Sequence, residues 1–285
     1  MPLADFDAYK TLLKSNLGGE IFIVDWTSSN YTIRSNDRLM ALFRGKRPDN
    51  LATVPTASVA LNNTNTDVAV VPLPSASGKL RIYGYKTAPY QSANNPNGAM
   101  SANLFVDVLN FSGGMNGTIT TEQTTNLPTA ALTRYTTGEG VMAGLIVWTT
   151  VGTTAAGVTV NYTNSDNVSG RTSTSVQFGG ANYREAGAVI LVPLQSGDKG
   201  IRSIEGITLS GSTGTIGDFG VIMFKPLAMS FFSDMNYNSD MDAISTSSVS
   251  GGFPELENNA CLSMFGFSSS GNMIGALGSV IIGDA

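Results

Sequence analysis

The 285-residue chain contains no histidine and a single cysteine, Cys261. Without imidazole it lacks the commonest general base, the Ser-His-Asp and Cys-His schemes, and most zinc or iron sites. One thiol permits no intrachain disulfide and no multi-cysteine metal site. Cys261 therefore reads as a small buried apolar residue in a protein compatible with a reducing cytoplasm. Carboxylate chemistry stays open, because two acids a few ångströms apart can cleave a glycosidic bond. Glu122, Glu139, Asp166, Glu185, Asp198, Glu205 and Asp218 all fall in or beside turn-like sequence, yet their spacing pairs no two of them. Asp198 in SGDKG and Asp218 in TIGDFG read more simply as turn residues whose carboxylates accept from nearby backbone amides.

Two clusters could bind rather than react. Asp234, Asn236, Asn238, Asp240 and Asp242 place an oxygen ligand at every second residue, an alternation also used by calcium loops. Ser239 stands where such a loop turns on glycine, and Ser245 where a bidentate glutamate closes it. The expectation is no cofactor, with calcium as the alternative. Arg34, Arg38, Arg44, Lys46 and Arg47 face only Asp37 and Asp49, giving either a docking patch for an acidic partner or a solvated turn flanked by charges. The LMALF between these charges packs inward on both readings. GSTGTIG (211 to 217) lacks the GK[ST] and the following helix of a phosphate loop, and reads as a hairpin turn.

The elements that must position these groups are strands. Leu3, Phe6, Tyr9, Leu13 and Leu17 recur at helical spacing before Gly18-Gly19, which predicts one short N-terminal helix. After it come the apolar or alternating runs EIFIVDW (20 to 26), DVAVVPL (67 to 73), KLRIYGY (79 to 85) and ANLFVDVLNF (102 to 111). The middle is the most regular part, with VMAGLIVWTTV (141 to 151), GVTVNYTN (157 to 164), TSTSVQF (172 to 178), AVILVPL (188 to 194), IRSIEGITLS (201 to 210) and FGVIMFKPL (219 to 227). Val158, Val160 and Tyr162 alternate with polar neighbours, whereas AVILVPL reads as buried on both faces. The short Gly-, Asn- and Ser-rich connections leave no room for crossover helices. A mainly β fold follows, an antiparallel β-sandwich or jelly-roll-like core with a short N-terminal helix and a C-terminal arm. The expected division is 1–125, a helix plus a β-rich domain; 126–229, a sandwich domain; and 230–285, the arm. Phe265 and Phe267 are too apolar to stay solvated, so the tail meets either its own core or another chain.

Charge limits the partners. Sixteen Lys and Arg against 21 Asp and Glu give a net charge of −5, which argues against a nucleic-acid footprint. Only 13% of residues are charged, about half the usual share, so Ser, Thr, Asn and Gly must cover the surface. Such a surface repels its neighbours weakly and suits permanent contacts. No apolar run reaches the length of about 18 residues that a membrane span requires, and the start lacks the pattern of a secretory signal.

NLPTAALTRYTTGEGV (126 to 141), VNYTNSDNVSGRT (160 to 172), VPLQSGDKGIRSIEGITLSGSTGTIGDFGV (192 to 221) and FKPLA (224 to 228) resemble segments of tailed-bacteriophage virion structural proteins of the head decoration or cement type. The resemblance implies a non-enzymatic particle component, made in the host cytoplasm and carried in the virion, with the major capsid protein and copies of itself as partners. It transfers no site. Arg38, Arg44, Lys46, Arg47, Phe265 and Phe267 are the expected interface residues. A receptor- or glycan-binding fibre module, with Tyr90, Tyr183 or Tyr237 stacking on sugar, is the competing expectation.

Overall fold

Strands joined by tight turns run antiparallel to one another, and among the described residues every strand pairing is antiparallel. The computed structural model describes residues 21–27, 38–43, 55–71, 73, 78–90, 100–231, 255–268 and 275–284. They hold fifteen strands, numbered here in chain order, and no helix. The helix expected over 3–17 lies outside the described residues, as do Asp234, Asn236, Asn238, Asp240, Asp242, Arg44, Lys46 and Arg47.

Six strands close into a barrel. β2 (Arg38–Leu42) pairs with β14 (Leu262–Ser268), β14 with β5 (Met100–Phe111), and β5 with β12 (Asp218–Phe231). β12 pairs in turn with β6 (Met142–Thr149), β6 with β10 (Ala188–Leu191), and β10 returns to β2. β3 (Val59–Ala60) adds to β5 beside this ring. Closure rests on the 14 residues of β12, whose first half pairs with β6 and whose second half runs along β5. Register shifts at Met223/Phe224 and Pro226/Ala228 supply the extra twist that bends a strand around a narrow barrel.

Side-chain alternation assigns the two faces of the wall. Leu39, Val106, Ile146, Val189, Ile222 and Phe265, one from each barrel strand, belong to a single apolar cluster that fills the interior. Trp148 lies within it, edge-on to Phe111 at 5.3 Å, and its indole N–H donates to the Ser112 carbonyl at 2.8 Å. Six strands enclose less space than the eight whose interior side chains just fill. Gly144 shows how little room is left, because a Cβ there would lie 2.7 Å from a Val189 methyl.

The outer face carries Phe105, Leu145, Val147, Val221, Met223 and Met264 into a second cluster. Two smaller sheets join it. One is ordered β1 (Ile21–Thr27), β15 (Gly275–Asp284), β4 (Leu80–Tyr90) and β13 (Glu255–Leu256), and brings Leu80, Ile82, Val280 and Ile282. The other runs β11 (Ile201–Leu209), β7 (Ala155–Asn164) and β8 (Arg171–Thr172), with β9 (Val176–Gly179) also on β7, and brings Val158, Val160, Tyr162 and Ile207. Wall strands are therefore covered on both sides, which explains the unbroken apolar text of β6 and β10. β7 alternates buried and half-exposed residues as its sequence requires.

Four expectations change. DVAVVPL forms no strand over its described residues: the Val68 and Ala69 N–H groups turn back to the Asn65 carbonyl, and Val68 to Val71 are buried. The spans 1–125, 126–229 and 230–285 share one closed sheet, since they supply β2 and β5, then β6, β10 and β12, then β14. The expected arm thus contains a barrel stave, and Phe265 is no interface residue, being fully buried and edge-on to Phe224 at 4.8 Å. Phe267 is half-buried against the same interior. GSTGTIG is no hairpin, because it joins β11 of one sheet to β12 of another.

Ser263 shares the inward alternation of Phe265, and its hydroxyl is buried with no hydrogen-bond partner among the described residues. An unpaired buried hydroxyl costs about 1–3 kcal/mol. Ser263→Ala is expected to raise the melting temperature by about 2–4 °C in calorimetry. A lowered value would mean that the hydroxyl is bonded in solution.

Candidate functional site

An acid in an otherwise apolar barrel strand needs a counter-charge, and Asp107 of β5 finds it in Arg134, from the loop before β6. The Arg134 Nε–H donates to Asp107 Oδ2 at 2.8 Å and Nη2–H to Oδ1 at 2.7 Å. Nη1–H reaches the Leu61 carbonyl at 2.7 Å and Nη2–H the Val108 carbonyl at 3.0 Å. The Cys261 N–H completes the carboxylate at 2.9 Å. Both side chains are buried, at 3% and 0% exposure. One ion pair thus ties together the barrel wall, the segment before Val68, the loop at Arg134 and the entry to β14.

Burial pushes the Asp107 carboxyl above the usual carboxylate range, against the pull of Arg134 and the Cys261 N–H. Burial, reinforced by the Asp107 charge, raises the Cys261 thiol as well. That leaves Cys261 a poor nucleophile, as its apolar reading from sequence implies. The guanidinium gives every one of its nitrogens to protein oxygens. This constellation holds structure together.

A second network lies where β7 meets the β10–β11 connection. The Tyr162 hydroxyl donates to Asp198 Oδ2 at 2.6 Å and accepts the Gln195 N–H at 2.8 Å. Asn164 Nδ2–H donates to Oδ1 at 2.7 Å, and Arg171 closes the group with Nε–H to Oδ2 at 3.0 Å and Nη2–H to Oδ1 at 3.1 Å. Asp198 therefore serves three side chains, where the sequence suggests a turn acid bonded to its own backbone. Burial alone would raise its pKa, but the donors from Tyr162, Arg171 and Asn164 outweigh it and hold the carboxyl below the ordinary aspartate value.

Three of the other acids are likewise engaged. Glu122 accepts from Asn161 at 2.6 Å, Glu205 accepts from the Thr163 hydroxyl and the Gly170 N–H, and Asp218 accepts the Gly114 N–H at 2.8 Å. Burial raises Asp218 despite that bond. Among the described residues no three His, Cys, Asp or Glu side chains gather as a metal site. Arg38 lies at the start of β2, and Leu39, Met40, Ala41 and Phe43 are buried as the sequence implies. Tyr183 is half-buried against the outer core and lines a pocket beside β10. The chain matches no protein-family model, no curated protein and no solved structure.

Breaking a buried pair by removing one partner strands the other charge. Arg134→Ala and Asp107→Ala are each expected to destabilise the chain by about 3–5 kcal/mol in urea unfolding, whereas Arg134→Met with Asp107→Leu loses less than the two singles together. Strict additivity would show that the two groups act independently. A depressed acid contributes stability that is complete above its unfolded pKa of about 3.9 and lost as pH falls through the folded value. Asp198→Asn should therefore lower the melting temperature by about 3 °C or more at pH 7, and the gap from wild type should shrink below pH ~4. A gap independent of pH would exclude the charge as its source.

Proposed function

We propose that this chain is a structural component of a tailed-phage particle, a decoration or cement protein that binds the outer lattice of the head and ties its subunits together. The observation that carries the reading is the fate of the ionisable groups: Asp107, Asp198, Glu205 and Glu122 all serve as internal fasteners. Sequence resemblance supports the same role, and its segments coincide with coherent parts of the fold. Residues 126–141 carry Arg134, 160–172 the far end of β7 with Asn164 and Arg171, and 192–221 Asp198, β11 and the start of β12. The β11-β7-β8 layer and the barrel wall share one apolar cluster, which supports a sandwich-like packing of sheet on sheet.

A weakly charged, polar surface lets large interfaces repeat around a shell without accumulating repulsion. The partners in this reading are the major capsid protein and further copies of the chain. A receptor- or glycan-binding fibre module is the second reading, in which the partly exposed ring of Tyr183 would stack on a sugar outside the pocket that it lines. Copy number separates the two. Quantitative mass spectrometry of purified virions is expected to find the chain in the hundreds per particle; tens of copies would favour the fibre reading, and absence from intact virions would remove both.

A further inference from the structure

The barrel wall has one weak seam. Among the described residues β10 meets β2 through two opposed pairs, Ala188 with Met40 and Val189 with Leu39, and the Ala41 N–H donates to the Gly187 carbonyl at 3.0 Å, whereas β2 pairs with β14 from Leu42 to Arg38. A pocket of about 370 Å³ opens beside this seam. It is lined by residues of both apolar clusters: Leu39, Val189 and Phe267 from the interior, Ile190 from the outer layer. β9 and the turn after it form the opposite wall. That turn is set by the Gly179 N–H donating to the Tyr183 carbonyl at 2.9 Å and the Gly180 N–H to the Gly152 carbonyl at 3.1 Å. The walls are therefore preformed, and the volume lies within the range of small-ligand sites.

The chemistry of the lining selects the ligand. Among the described lining residues, Gln177 and Tyr183 carry the polar side chains, and Gln177 is exposed. A pyranose would bring about four hydroxyls into these walls, each costing about 1–3 kcal/mol if left unpaired. A flat apolar ring with one hydrogen-bonding edge loses nothing of this kind, since the apolar lining suits its faces and the Gln177 amide offers its edge a partner. We propose that the pocket binds a free small molecule of this class, an indole- or phenol-like ring, and that sugars are excluded from it.

The test is titration of the full chain with indole, N-acetyl-tryptophan amide and methyl glucoside, followed by NMR. Saturable shifts from indole at the 176–177 and 188–191 amides are the expected result, with N-acetyl-tryptophan amide at least tenfold weaker. Leu191→Phe, which narrows the pocket, and Gln177→Trp, which covers its mouth from an exposed position, should each weaken indole at least tenfold while leaving the melting temperature within a few degrees. If Leu191→Phe does not fold, Gln177→Trp decides alone. Three results overturn the proposal: no saturation with indole, saturation with methyl glucoside at the same amides, or indole binding unchanged in the folded variants. Tighter binding of the capped tryptophan would also overturn it, by pointing to a partner's side chain.

Discussion

The pairing of β5 with β12 is the constraint on which the rest of the molecule depends. Without it the six strands would form an open sheet with two unpaired edges, free to recruit other chains. With it the wall has no edge, and the interior becomes narrow and largely apolar. Every wall strand then needs apolar side chains on both faces, and the outward set must be covered in turn. The two smaller sheets do this, and Val280 and Ile282 on one side and Val158 and Val160 on the other enter the same outer cluster as Val147 and Val221. The three-sheet architecture is thus a consequence of closing a small barrel.

The Asp107–Arg134 pair answers a different problem. A buried ion pair gains little over well-packed apolar residues, so stability alone does not account for it. Its further bonds do. Arg134 satisfies the Leu61 and Val108 carbonyls, which would otherwise be candidates for burial without a donor. By fixing the loop at Arg134 it also fixes the covering of β11. That strand receives a bridge from Gln123 to Ile207, the residue before it a bridge from Glu139 to Gly200, and the Ile204 N–H donates to the Pro128 carbonyl. One charged contact inside the protein therefore helps protect a sheet edge at its surface.

These features differ in how far the sequence reveals them. β7 is legible because one face is buried and one is not, so Val158, Val160 and Tyr162 stand out against Thr159 and Asn161. β6 and β10 are legible as strands, and the burial of β10 on both faces follows from its composition, but an apolar run does not say what covers it. The barrel is illegible because its pairings are remote: Ala41 lies opposite Phe265, and no local pattern carries register across that distance. Val68 to Val71 mislead for a related reason, since β-branched residues mark burial as readily as they mark strands. The ion pair left a usable signal. A lone aspartate inside ANLFVDVLNF demands a buried cation, but Lys225 in VIMFKPLA and Arg81 in KLRIYGY sit in text as apolar as that around Arg134, so the partner is legible only from the fold.

The outer face of β7 shows how such a framework can serve repeated association. Asn161 bonds Glu122 and accepts from Thr172, and Thr163 bonds Glu205, so these half-exposed side chains are ordered before any partner arrives. Immobilising a flexible polar side chain on binding costs about 0.5–1.5 kcal/mol, and a surface that has already lost that freedom loses less on contact. Such a surface gains little strength per bond, because its donors and acceptors are already engaged. Its contacts become useful when many copies repeat them and linkage multiplies modest affinities. A rigid, weakly charged, internally bonded sheet therefore fits a protein whose partners are fixed in a lattice better than one that must capture a single partner from dilute solution.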